Sequence, residues 1–104
     1  MIPEWSQTEL IEHAAHTDRS FAVLLYTPFC GTCKLTERML DIVLVTDPAI
    51  PLYKSNINFM PIISRDWQIT SVPCIVIIHD DQTKEFLYSM KSIDELYKKL
   101  KPLG

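Results

Sequence analysis

A chain of 104 residues with 47% hydrophobic content is one domain's worth of sequence, long enough to bury a core without a scaffold of disulfides. Ten Lys or Arg against thirteen Asp or Glu leave a net charge of −3, which excludes the broad basic surface of a nucleic-acid binder. Three cysteines are too few, and odd in number, for the stapled framework of a small secreted protein, and they fit a reducing compartment.

The chain opens Met1-Ile2-Pro3-Glu4-Trp5 and turns polar at once, without the basic and apolar regions of a signal peptide. Its longest apolar runs are far too short to span a bilayer. The expectation is therefore a single domain over residues 1–104, cytoplasmic and monomeric, with neither a membrane nor nucleic acid as partner. The basic cluster Lys98-Lys99-Leu100-Lys101 reads as the solvated end of a helix, where cations favour the dipole.

Ser6 and Glu9 form a capping-box pattern, with Trp5 and Leu10 placed as a hydrophobic staple, so a helix starts there. Leu10, Ile11, Ala14 and Ala15 give it an apolar stripe, and the polar stretch from His16 to Ser20 ends it. Phe21 to Tyr26 is a continuous apolar run of the length of a strand buried on both faces. Thr27-Pro28-Phe29 breaks the run and Cys30-Gly31-Thr32-Cys33 follows. From Cys33 a helical period brings Leu35, Met39, Ile42 and Val43 to one face, ending at Asp47-Pro48 at the latest. Ile50 to Ile57 holds a further strand of weak alternation, and Pro61 opens a short helix through Trp67. Val72-Pro73-Cys74 leads into the strand Ile75 to Ile78. Asp80 to Thr83 turns the chain, and Lys84 to Tyr88 returns as a hairpin partner. Ser92 and Glu95 start the last helix, with Ile93, Leu96, Tyr97 and Leu100 as its apolar face. With two glycines in the chain, phosphate-binding glycine loops are excluded.

Two thiols separated by two residues, after a buried strand and at the start of a helix, suit one kind of chemistry. The free N–H groups and dipole of the first helical turn stabilise negative charge, so Cys30 is the expected attacking thiolate. Cys33, one turn further in, can then attack the mixed disulfide formed at Cys30 and release the reduced substrate. Gly31 is expected to relieve crowding in the turn, and Phe29 to offer an apolar contact to a partner. Cys-x-x-Cys is also half of many zinc sites, but Cys74 and His79 lie too far apart along one strand to complete a set of four ligands. Inert core cysteines are the other alternative. His13 and His16 read as ordinary helix-end residues.

Phe29-Cys30-Gly31-Thr32-Cys33, together with Val72-Pro73 before a hairpin strand, resembles the thioredoxin family, whose motif is Trp-Cys-Gly-Pro-Cys and whose second mark is a cis proline. The resemblance implies an α/β thioredoxin-like fold, a central mixed β-sheet flanked by α-helices, with the dithiol and a cis Val72–Pro73 bond adjacent in space. It implies catalytic Cys30 and Cys33, and substrate contacts from Phe29, Gly31, Thr32, Val72, Pro73 and Cys74. It implies no cofactor and no metal. The partners would be protein disulfides and an unidentified reductase or dithiol donor. Cys74 has a plainer reading as a small hydrophobe facing the core.

The segment Leu25 to Cys30 is also similar to glutaredoxin-like proteins, but no Gly-Gly pair follows to hold glutathione. Met1 to Glu4 leaves little room for the short strand that often precedes the first thioredoxin helix. Three departures stand out. Thr32 replaces the family's proline, Phe29 its aromatic, and Leu24 aligns with the family's buried acid, while Lys54 aligns with its nearby lysine. The first two bear on redox potential and partner choice, the third on proton handling. The functional expectation is a thiol–disulfide oxidoreductase. The competing one is a non-catalytic module that holds a peptide in the groove beside Pro73.

Overall fold

The computed structural model describes residues 2–16, 18–89 and 92–104. Met1 of the opening segment and Thr17 of the polar stretch after the first helix lie outside the described residues. The elements follow the expected order. They are α1 (Gln7–Ala15), β1 (Phe21–Tyr26), α2 (Gly31–Thr46), β2 (Leu52–Asn56), α3 (Pro61–Asp66), β3 (Cys74–Ile78), β4 (Lys84–Leu87) and α4 (Ile93–Leu100). Short 3-10 turns at Ile57–Phe59 and Lys101–Leu103 were not anticipated, because neither carries a repeating apolar pattern.

Local sequence explains the helix starts. Ser6 Oγ accepts the Glu9 N–H while Glu9 returns a carboxylate to the Ser6 N–H, the full capping box. Ser92 Oγ likewise accepts the Glu95 N–H, but the Glu95 carboxylate meets the Ser92 hydroxyl at 3.5 Å. Met60 caps α3 without its side chain, and Gln7 Oε1 accepts the N–H groups of Ile62 and Ile63 instead.

The strands form one mixed sheet in the order β2-β1-β3-β4, with β1 parallel to β2 and antiparallel to β3. Alternation along β1 splits the core into two halves. Ala22 and Leu24 join Leu52, Ile75 and Ile77 under α2 (Leu40, Val43) and α4 (Leu96, Leu100). Phe21, Val23 and Leu25 join Val76 and Ile78 against α1 (Leu10) and α3 (Ile63) on the other face. β1 is thus buried on both faces, as its unbroken apolar run requires. Among the described residues, no strand precedes α1. A single parallel bridge between Glu4 and Lys54, flanked by bonds from the Trp5 N–H to the Lys54 carbonyl and from the Lys54 N–H to the Pro3 carbonyl, covers part of the β2 edge.

Candidate redox site

The parallel β1–α2–β2 unit brings the chain out of β1 at the sheet edge where β3 begins. Leu25 pairs with Cys74, so the Val72–Pro73 bond, which is cis, and the loop leading to Cys30 leave the sheet at the same edge. α2 starts two residues earlier than the apolar period indicates, because Cys30 itself is the N-cap. Its backbone is extended (φ −111°, ψ 110°) and its sulfur accepts the Cys33 N–H at 3.1 Å. A sulfur in this position receives a free N–H of the first turn and the positive end of the helix dipole, both of which favour its thiolate.

Cys30 and Cys33 are paired as a disulfide, with Cα atoms 5.1 Å apart. Cys30 is half-buried, whereas Cys33 is only 2% exposed. The pair is therefore asymmetric: one sulfur reachable from solvent, one reachable from its neighbour. Thr32 Oγ1 lies 3.3 Å from Cys30 Sγ, a direct contact on the outer sulfur. Phe29 stands 98% exposed beside it, so the dithiol is presented on an open surface.

Gly31 requires a correction. A Cβ added there would meet nothing within 4 Å, and its φ is not positive, so the glycine relieves no crowding within the fold. The space above it is open to a partner. Cys74 is fully buried, on the sheet face that carries α1 and α3 and away from α2. Burial pushes its thiol up to about 11, with the Tyr88 hydroxyl pulling the other way. Its side chain is out of reach of a docked polypeptide, which leaves its main chain as the part able to make contact. Cys74 and His79 stand at opposite ends of β3, and among the described residues no three His, Cys, Asp or Glu side chains gather as a metal set.

Leu24 is completely buried between the sheet and α2. Lys54, opposite it in the β1–β2 register, gives its ammonium to Glu37 at 3.0 Å and lies 5.7 Å from the centre of the Tyr26 ring. The Tyr26 hydroxyl in turn meets Glu4 at 2.5 Å. Burial first, then the bond to Glu4 and the charges of Glu4 and Glu37, hold the Tyr26 phenol above its usual range. Of this cluster the family resemblance singles out Lys54 alone, and Glu4, Tyr26 and Glu37 were missed from sequence. The one local signal for it was Glu37 lying four residues after Cys33, on the same face of α2.

The Thioredoxin family profile matches residues 2–102 of this chain. The chain belongs to the thioredoxin family. It is 37% identical over 95 residues to the thioredoxin-like protein YusE of Bacillus subtilis, covering 89% of this chain and 90% of that one. It is 25% identical over 89 residues to a thioredoxin of Chlamydia trachomatis, covering 84% and 87% of the two chains. A crystal structure of chloroplastic thioredoxin z superimposes with a TM-score of 0.82 at 22% identity, covering 98% of this chain and 93% of the other, and so shares the thioredoxin fold. Cys30 and Cys33 of this family member are spaced as a Cys-x-x-Cys pair, close enough to form a disulfide. Among the described residues, no helix is long and apolar enough to cross a membrane.

Proposed function

We propose that this thioredoxin-family chain is a thiol–disulfide oxidoreductase acting on protein disulfides through Cys30 and Cys33. The observation that carries the reading is the asymmetry of the pair: an outer sulfur at the N-terminus of α2 holding the Cys33 N–H, and an inner sulfur that is buried. In the reducing direction, the Cys30 thiolate attacks one sulfur of the substrate disulfide, and the other substrate sulfur leaves as a thiolate that takes a proton from water. The Cys33 thiolate then attacks Cys30, the Cys30–substrate bond breaks, and the second substrate thiol departs as the Cys30–Cys33 bond forms. No cofactor is needed, because the two electrons come from the dithiol.

An exposed Phe29, open space above Gly31 and the Thr32 hydroxyl would flank the bound polypeptide, with Val72 and Pro73 across the edge. The Val72 main chain would pair with an extended substrate as an added strand, and Cys74 would contribute main chain only. A reductase or a dithiol donor would return the electrons. A monomer in the reducing cytoplasm suits both the exchange direction and a chain whose third thiol is buried and unpaired.

The test is reduction of insulin disulfides with a dithiol donor, using Cys30→Ser as control. The expected result is turnover by the parent and none by the variant. Equal rates for the two would leave the fold as a peptide-binding module that holds its ligand beside Pro73.

A further inference from the structure

We infer that Glu37 is the proton acceptor of Cys33 in the resolving step, with Lys54 as the positioning residue that holds its carboxylate against the sheet. The inference rests on the oxidoreductase reading above and adds to it the groups that make the inner thiol reactive.

Cys33 must be a thiolate to attack the mixed disulfide at Cys30. It is 2% exposed, and burial disfavours the charged form. Its own N–H is directed at Cys30 Sγ, so the first helical turn serves the outer sulfur. The strand beneath offers no base, since Leu24 fills that place with an apolar side chain. Glu37 lies four residues along α2 from Cys33. Residues so spaced stand one above the other, about 5–6 Å apart at Cβ, within reach of a proton passed directly or through one water.

Left alone, a glutamate on a helix would extend into water. Here Lys54 Nζ, 3.0 Å away, draws the carboxylate inward, leaving the two side chains 30% and 19% exposed. The groups around Glu37 are Lys54 from β2, Tyr26 from β1 and, through the Tyr26 hydroxyl, Glu4 from the opening segment. On α2 itself, Asp41 has a buried, unpartnered oxygen, but it lies about 12 Å of helix rise beyond Cys33. α4 also packs on α2, and the ionisable group on its inward side is Tyr97. Among the described residues, Glu37 is thus the carboxylate placed one turn from the buried thiol.

The step balances. The Cys33 S–H bond breaks and its proton passes to the Glu37 carboxylate. The sulfur attacks Cys30, the Cys30–Cys33 bond forms, and the Cys30–substrate bond breaks. The departing substrate thiolate takes the proton back, so Glu37 ends as it began. Lys54 offsets the negative charge that moves between the two groups.

Single-turnover oxidation of the reduced protein by a bis-(nitrothiobenzoate) disulfide separates the two steps. The first thiobenzoate is released by Cys30 and the second by Cys33, so two phases are read across pH 6–9. Glu37→Gln should leave the first phase unchanged, slow the second about 10²-fold at neutral pH, and move its midpoint upward. The charge-reversed pair Glu37→Lys with Lys54→Glu separates a merely structural ion pair from proton transfer. It should melt like the parent yet keep the slow, shifted second phase. A second phase of parental rate and pH profile in Glu37→Gln overturns this inference and leaves the oxidoreductase reading standing. A parent that releases only the first thiobenzoate overturns both.

Discussion

At the scale of single residues, Gly31 and Cys74 make opposite demands on the fold. Gly31 is the first residue of α2 and has ordinary backbone geometry with empty space over it. Gly31→Ala should therefore raise stability, by about 0.4–1 kcal/mol, because it restrains the unfolded chain. The added methyl would project where a polypeptide docks, so insulin reduction should slow while reduction of a small disulfide is spared. Denaturant unfolding and the two activities side by side check this. Cys74 matters through its proton. Its folded value, near 11, lies above the ordinary 9.0, so folding favours the protonated thiol. That stability is fully present below pH 9 and is lost as pH rises through about 11. A shift of this size corresponds to about 3 kcal/mol, and Cys74→Ala should flatten the alkaline decline measured by urea unfolding between those two values. An unchanged decline would assign the alkaline loss to other groups.

At the scale of elements, α2 does two jobs with two faces. Its N-terminus presents Cys30, while Leu40 and Val43 fix it on the sheet against Leu24. Leu24→Asp would put a carboxylate at a position with no exposure, so it should destabilise the domain by about 3 kcal/mol even with Lys54 across the register. A urea midpoint equal to the parent's would show that Lys54 leaves Glu37 and satisfies the new acid. The elements themselves were readable because their signals are local: Ser6 with Glu9, the unbroken Phe21–Tyr26 run, and Ser92 before an apolar face that repeats every three or four residues. At α2 the apolar period begins only at Cys33, and the start at Cys30 was legible from the dithiol and not from its cap, because a cysteine is outside the usual set of oxygen-bearing cap residues.

At the scale of the whole molecule, what the sequence hid is what the fold brings together from afar. Glu37 and Lys54 are 17 residues apart, and Tyr26 and Glu4 are 22 apart. No local period connects them, and only the parallel register of β1 and β2 with α2 above places them in one cluster. Gly31 was misread for a related reason: the crowding expected in a tight turn is absent once the turn is the first residue of a helix. The dithiol was legible because its spacing and its place after a buried strand are both local. The central claim is that this pair exchanges electrons, in contrast to one that staples the helix start. Its most direct test is the Cys30–Cys33 reduction potential, read by equilibrating the protein in glutathione or dithiol buffers and trapping free thiols for mass analysis. One reversible two-electron transition is expected above about −300 mV, absent in Cys30→Ser and leaving Cys74 reduced throughout. A potential below about −300 mV, the range of structural disulfides, or a pair that never reopens, would contradict it.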